Sequence, residues 1–252
     1  MPPVPPPVAE QTRPDPQRAA LVLIEFQNEW VSEEGRLRFL IEDQAQFDAA
    51  VQGGREALQI ARQAGLPVFH VGLRFTEGYP EFRPAAHGLR GAIPNAQTWL
   101  ASTGGAAFHP DFQPLDHEIV IRGRNGASGF AGSDLHEQLQ REGIETLYLA
   151  GFAMHVCVES TLREAHDRGY AAILLEDASA AFNAAQRKYV LNHIVHHFGE
   201  SIDGSEFQTR VMRRSAGAHG SDAAGGGSHS AESDGCHLSP ASPLRMNDAA
   251  EM

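Results

Sequence analysis

Three side chains with catalytic potential follow predicted strands in this chain of 252 residues. Glu25 stands at the end of the first apolar run, Arg122 or Arg124 follows the third, and Cys157 follows the fourth. A thiol beside a carboxylate and a guanidinium suits nucleophilic attack coupled to proton transfer. Because the carboxyl ends of strands in an open α/β sheet border a common crevice, we expect these side chains to converge.

Cys157 and Glu25 each have a second interpretation. Cys157 precedes a predicted helix, whose unpaired N–H groups and dipole favour a thiolate; this predicts a lowered pKa and a nucleophile. Free cysteine is also a common small residue of hydrophobic cores. A carboxylate within an apolar strand is costly unless it is paired, so Glu25 is either a site residue or half of a buried ion pair.

The segment around Cys157 predicts a βαβ unit. An apolar run at residues 146–150 ends at Gly151, a helix-period pattern follows as far as Gly169, and a second apolar run covers residues 171–175. Short apolar runs bounded by glycine are typical of buried parallel strands.

The remaining elements are predicted from the same patterns. Further strands are expected at residues 19–26, 67–73, 118–121 and, at the edge, 207–212, and helices at residues 43–64, 133–142 and 184–198. The alternation predicts an α/β fold with three α/β/α layers around a doubly wound, mostly parallel sheet. The long, weakly patterned segment 74–116 is expected to form functional lids or binding loops.

Composition divides the chain into three parts. Residues 1–17 are rich in proline and are expected to be a disordered arm, and residues 213–252, rich in Gly, Ser and His, a disordered tail. The folded domain is therefore expected at residues 18–212.

The net charge of −12 argues against nucleic acid and against anionic membranes as partners. No apolar run approaches the ~20 residues of a membrane span, and the N-terminus does not resemble a secretory signal. Two cysteines do not suggest a disulfide framework. We therefore expect a cytoplasmic protein.

Three motifs, in this order along the chain, resemble the isochorismatase-like cysteine hydrolase superfamily. They are ALVLIEFQNEW at the first strand, SGFAGSDL before the fourth, and GFAMHVCVESTLREAHDRGY with the following LLEDASAAF. The resemblance covers most of the folded domain and implies a Rossmann-like α/β/α fold. It also implies a hydrolase that acts on a small molecule, forms a homo-oligomer, and uses no cofactor or metal.

The resemblance assigns catalytic roles to three residues. Members of the superfamily commonly use Asp, Lys and Cys, and the matching positions here are Glu25, Arg124 and Cys157. The nucleophile is retained, whereas both partners are substituted with their charges kept. The implied reaction is attack of Cys157 on an amide-type carbonyl to give a thioester-type intermediate, with Glu25 moving the proton.

The resemblance also implies an oxyanion site and a strained peptide. Backbone N–H groups from Met154 to Cys157 are expected to receive the oxyanion, and a non-proline cis peptide is expected at Ala153–Met154. An apolar substrate pocket is predicted from Phe26, Trp30 and Phe130, with Phe75, Tyr79 and Phe82 as further aromatic candidates. Gln27 and Asn125 are expected to bind a polar group of the substrate.

The histidines are expected to have structural or surface positions rather than roles in a site. His70 is expected to be a buried residue with a backbone hydrogen bond rather than a metal ligand. His193, His196 and His197 are expected at the surface, since neighbouring residues on a helix point in different directions.

Three functions follow from these residues. The first is a cysteine hydrolase that cleaves the C–N bond of a small amide. The second is a catalytically silent family member that acts as a binding or interaction module, which the substitutions at Glu25 and Arg124 would explain. The third is hydrolysis of a vinyl ether, against which the retained Cys157 argues.

Overall fold

A computed structural model describes residues 18–82 and 87–221, with side chains described as far as residue 213. Its core is one six-stranded sheet in the order β3-β2-β1-β4-β5-β6, in which every neighbouring pair is parallel. The strands are β1 Ala19–Ile24, β2 Val68–Val71, β3 Ile119–Val120, β4 Thr146–Gly151, β5 Ala171–Ser179 and β6 Glu200–Ile202. The predicted α/β class with a doubly wound sheet is confirmed.

Helices cover both faces of the sheet. They are α1 Asn28–Val31, α2 Gln44–Gln63, α3 Leu89–Ala96, α4 Leu135–Arg141, α5 Glu159–Asp167, α6 Ala184–His193, α7 Val195–Phe198 and α8 Gly204–Ser221. Alternation along β1 sends Leu21 and Leu23 into the core under α2 and α8, and Ala20 and Val22 into the core under α4 and α5. The three layers predicted from the sequence follow from this alternation.

The strand order reverses between β1 and β4, which lie side by side in the middle of the sheet. Glu25 comes directly after β1, and Cys157 comes shortly after β4. Gly151 permits the close approach of the two strand ends, because a Cβ atom there would lie 2.0 Å from the carbonyl oxygen of Ile24. The switch point of the sheet thus brings two of the candidate residues together.

The predicted edge strand at 207–212 is wrong. These residues belong to α8, and the edge strand is β6. Phe207 and Val211 are four residues apart and both buried, which is the spacing of a helix face. The Asp203 carboxylate accepts a hydrogen bond from the Glu206 backbone N–H at 2.8 Å and so caps the helix, a start signal that was present in the sequence.

Other boundaries also differ from the predictions. β5 continues past the acidic pair at 176–177, since Ser179 still pairs with Gly151 beyond an irregularity in the register. The helix predicted at 184–198 is divided at Ile194 into α6 and α7. The segment 74–116 contains α3 and two short 3-10 turns, Gly104–Ala106 and Pro110–Phe112.

Helix α8 crosses the predicted domain boundary at residue 212 and is described as far as Ser221. The predicted disorder of residues 1–17, and of the tail after residue 221, lies outside the described residues. No helix in the described ranges is long and apolar enough to cross a membrane.

Gly53 lies inside α2, although glycine has a low helix propensity. Close packing of α2 against β5 explains its presence there. A Cβ atom at this position would lie 2.4 Å from the backbone oxygen of Asp177 in β5. We expect Gly53→Ala to gain about 1 kcal/mol of helix propensity but to lose more through overpacking, for a net destabilisation of about 1–2 kcal/mol. Urea unfolding measures this, with Gly104→Ala as the matched control, since a Cβ atom at Gly104 meets nothing within 4 Å. Equal or higher stability of Gly53→Ala would contradict the tight α2–β5 packing.

Candidate active site

A buried ion pair joins two of the three predicted catalytic residues. Arg124 Nη2 donates to Glu25 Oε1 at 2.7 Å, and both side chains are fully buried. Glu25 is therefore half of a buried ion pair as well as a neighbour of the thiol, so its two interpretations coincide. Arg122 is exposed, and its backbone N–H bonds to Asp134, which leaves Arg124 as the basic residue of the site.

The loop after β3 holds the guanidinium of Arg124 in place. Nη2 also donates to the carbonyl of Ala127 at 2.6 Å, and Nε donates to those of Gly126 and Ser128 at 3.1 and 3.2 Å. Burial acts to lower the pKa of Arg124, but the neighbouring Glu25 and Cys157 outweigh it and raise the pKa. The site thus contains a permanent positive charge in a fixed orientation.

The second oxygen of Glu25 also has a donor. Trp30 Nε1 lies 2.9 Å from Glu25 Oε2, a role that the sequence analysis did not assign to Trp30. The backbone of Glu25 adopts a left-handed conformation, with φ of 58°. Non-glycine residues rarely take this conformation without support from their surroundings, and such residues cluster at functional sites.

Cys157 lies in a π-helical turn, Met154–Val158, that connects β4 to α5. Its thiol lies close enough to Glu25 and Arg124 for both side chains to shift its pKa, so all three predicted residues meet. Burial raises the pKa of Cys157, Glu25 raises it further, and Arg124 opposes the change only in part. The expected lowering of the pKa is therefore wrong, because loss of water and a neighbouring anion outweigh the helix terminus.

Thr161 connects the thiol turn to the loop that holds Arg124. Its hydroxyl donates to the Cys157 carbonyl at 2.7 Å and accepts from the Gly129 N–H at 2.8 Å. Thr161 is fully buried one turn beyond Cys157 in α5, and its role was not predicted from the sequence.

Two of the N–H groups that were expected to bind the oxyanion already have backbone acceptors. The Met154 N–H donates to the Ala180 carbonyl at 2.7 Å, and the Val156 N–H to the Ala153 carbonyl at 3.0 Å. The cis peptide is Phe152–Ala153, one residue earlier than predicted.

A cavity of about 270 Å³ opens beside Cys157. Its lining residues are Glu25, Trp30, Leu37, Phe39, Leu40, Leu73, Leu89, Ala92, Ile93, Ala96, Thr98, Trp99, Ala153, Val156, Cys157 and Phe182. Of the residues predicted to bind substrate, Trp30 lines this cavity. Helix α3 and the 3-10 turn Arg38–Leu40 contribute walls that the sequence pattern did not reveal.

Two of the predicted substrate-binding residues belong to the core instead. Phe26 is fully buried and stacks on Phe112 at 4.2 Å between ring centres. Gln27 uses its side-chain amide to bond the backbone N–H and carbonyl of Leu73 and the carbonyl of Ala106. Phe26 therefore packs in the core and Gln27 holds the segment after β2, and neither residue lines the cavity.

The other two predicted substrate-binding residues, Phe130 and Asn125, also lie away from the cavity. Phe130 stacks on Tyr170 in the opposite core, at 5.9 Å between ring centres. Asn125 borders a separate cavity together with Glu81, Phe82 and Arg90. Phe75, Tyr79 and Phe82 pack against one another, with ring centres 4.5 to 6.3 Å apart.

The predictions for the histidines are confirmed in part. His70 is buried as expected, but its Nε2 bonds Glu118 Oε2 at 2.8 Å rather than a backbone group. Arg62 also binds Glu118, and these partners lower the pKa of Glu118 despite its burial. The three late histidines are exposed. Across residues 18–82 and 87–221, no three His, Cys, Asp or Glu side chains form a group that could hold a metal ion.

A cavity bordered by a thiol and by the carboxylate of a buried ion pair, at the switch point of a parallel sheet, is typical of Rossmann-like α/β enzymes. A family model described as Isochorismatase domain matches residues 19–206. The chain belongs to the isochorismatase family and is an isochorismatase-family hydrolase, as the sequence motifs indicated.

Named relatives and solved structures agree with this assignment. The chain is 30% identical over 228 residues to ureidoacrylate amidohydrolase RutB of Methylobacterium radiotolerans, across 84% of this chain and 86% of that one. It is 25% identical to N-carbamoylsarcosine amidase from Thermoplasma acidophilum, with a TM-score of 0.58 over 74% of this chain and 95% of that one. A cysteine hydrolase from Pseudomonas syringae pv. phaseolicola 1448A, at 24% identity, shares the fold with a TM-score of 0.68 over 79% of this chain and 94% of that one.

The raised pKa of Cys157 predicts slow alkylation at neutral pH. In a Cys236→Ser background, which leaves Cys157 as the single thiol, the iodoacetamide rate should rise about tenfold per pH unit through pH 9. Glu25→Gln removes the neighbouring anion, so it should lower the thiol pKa and accelerate alkylation at pH 8. Glu137→Gln, an exposed charge change in α4, is the control and should have no effect. A rate that levels off near pH 7 would instead show a thiolate at rest.

Thr161→Val tests the connection between the thiol turn and the Arg124 loop. The change keeps the shape but leaves the buried Gly129 N–H without its acceptor, so we expect a loss of about 1–3 kcal/mol in the free energy of unfolding. The control is Thr209→Val, because Thr209 makes the same hydroxyl-to-carbonyl bond four residues back on an exposed helix face. If both variants lose the same free energy of unfolding in urea, the Thr161 connection does not contribute to stability.

Proposed function

We propose that this hydrolase cleaves the C–N bond of a small amide with Cys157 as nucleophile. The observation that carries the proposal is the meeting of Cys157, Glu25 and Arg124 at a cavity that can admit a substrate. The amidohydrolase and amidase among the relatives support the same type of reaction.

Acylation begins with the thiol in its protonated form, because its pKa is raised. As the sulfur attacks the substrate carbonyl, Glu25 accepts the thiol proton, and the new C–S bond leaves a tetrahedral oxyanion. Glu25 then returns the proton to the nitrogen, the C–N bond breaks, and the amine departs. The product on the enzyme is a thioester at Cys157.

Deacylation repeats these transfers with water. Glu25 takes a proton from the attacking water, the C–S bond breaks, and the proton returns to sulfur as the acid departs. Each cycle therefore consumes one water and restores the thiol, with no redox change. Glu25 is suited to this shuttle because Arg124 and Trp30 orient its two oxygens.

Arg124 acts by charge and position rather than by proton transfer. Its guanidinium does not release its proton, so it holds the Glu25 carboxylate and offsets negative charge as sulfur is deprotonated. The two remaining amides of the turn, those of His155 and Cys157, are the ones that we assign to the oxyanion. The N–H groups of Met154 and Val156 are excluded as oxyanion donors because each already donates to a backbone carbonyl.

The Glu25–Arg124 pair predicts a specific pattern of mutant activities. Glu25→Asp and Arg124→Lys each restore the residue usual in the superfamily, yet each should lower kcat/KM. A shorter carboxylate or a point-like ammonium cannot span the 2.7 Å contact and keep the three backbone bonds of Arg124, and a misplacement of about 1 Å can cost 10²-fold. The double variant should recover part of the loss, because the two residues belong to one network.

Ammonia release from a panel of primary amides and ureido compounds measures these activities. Arg122→Lys is the matched control at the exposed neighbouring arginine and should keep full activity. Cys157→Ala should abolish turnover, and mass spectrometry of the wild type should detect the acyl-enzyme. A folded wild type that forms no acyl-enzyme and hydrolyses none of the panel would favour the silent binding module. Strictly additive losses in the double variant would refute the matched pair.

A further inference from the structure

The walls of the cavity beside Cys157 are apolar. They come from the turn at Leu37–Leu40, from one side of α3 and from Phe182. The polar side-chain groups among the lining residues are those of Glu25, Thr98 and Cys157 and the indole N–H groups of Trp30 and Trp99, of which the Trp99 N–H has no partner in the described residues. Thr98 is fully buried and its Oγ1 has no partner in the described residues. A ligand in this cavity therefore contacts almost entirely carbon.

No cationic side chain lines the cavity among the described residues. Arg124 is not a lining residue, and its charge is already paired with Glu25. Arg36 donates to the Gln97 carbonyl, and Arg90 borders the separate cavity that contains Asn125. A substrate carboxylate would lose its water without gaining a cationic partner, and the Glu25 anion would repel it.

The mouth of the cavity is also apolar. Two of its lining residues, Phe39 and Leu89, are 80% and 40% exposed, which is unusual for large hydrophobic side chains. A small apolar rim that continues an apolar cavity marks a binding surface for an uncharged group. The rim allows a chain longer than the cavity itself to remain in contact with carbon.

We propose that the substrate is a neutral amide with an apolar remainder of about six carbons, because an apolar cavity of about 150 Å³ takes up benzene. The cavity of about 270 Å³ then holds such a chain or ring together with the reacting amide. This inference rests on the proposed function and narrows it. The compounds named for the amidohydrolase and amidase relatives carry a carboxylate, so this chain differs from them in substrate charge.

Intrinsic fluorescence tests the proposal directly, because both tryptophans of the chain, Trp30 and Trp99, line the cavity. Cys157→Ala, which cannot turn over an amide, is titrated with hexanamide and with adipamate, which replaces the terminal methyl by a carboxylate. We expect hexanamide to bind at least about tenfold more tightly than adipamate.

A second experiment places a positive charge at the rim of the cavity. Leu89→Arg in the same background should reduce the preference for hexanamide by about fivefold or more, because it offers adipamate a partner. Leu115→Arg is the matched control, since Leu115 is similarly exposed at 44% and does not line the cavity. It should leave both affinities unchanged.

Equal or tighter binding of adipamate to the Cys157→Ala protein would overturn the proposal, as would no fluorescence response to either compound. The wild type is assayed separately for ammonia release from both amides. Binding of hexanamide without hydrolysis would refute the proposed function while retaining the apolar site. Hydrolysis of adipamate in preference to hexanamide would retain the function and refute the substrate class.

Discussion

The Glu25–Arg124 ion pair is the constraint around which the site is built. Two fully buried charges 2.7 Å apart tolerate the loss of water only because each has further hydrogen bonds, from Trp30 to Glu25 and from Arg124 to the β3 loop. Removal of one partner from such a pair typically costs about 3–5 kcal/mol, since the other charge stays buried. The pair thus ties β1 to the loop after β3, on either side of the thiol turn.

The sheet topology explains why these residues can act together. β1 and β4 are neighbours at the reversal of the strand order, so the residue after β1 and the turn after β4 border one crevice. Thr161 adds a second connection, from the thiol turn to the Arg124 loop. The thiol, the carboxylate and the guanidinium are therefore held by contacts between elements far apart in sequence, as a preorganised site requires.

Glu and Arg stand where members of the superfamily commonly carry Asp and Lys, and the structure gives these substitutions a joint physical basis. The longer carboxylate reaches a guanidinium whose Nε and Nη2 groups are also held by three backbone carbonyls. The Cys157 thiol, whose pKa burial and Glu25 raise, lies beside this pair.

The sequence by itself determined the family, the α/β class and the three residues at the strand ends, because these depend on local hydrophobic runs and short motifs. It missed α8, although the start signal at Asp203 was present. It also missed the end of β5, because pairing with β4 beyond an irregularity in the register decides where that strand ends. It could not assign Phe26, Gln27, Asn125 and Phe130, since an aromatic or amide side chain suits a core and a pocket equally well. The choice of Arg124 over Arg122, the role of Trp30 and the direction of the Cys157 pKa were decided only by the tertiary structure. Burial and the distances between charges set them, and neither quantity is local in sequence.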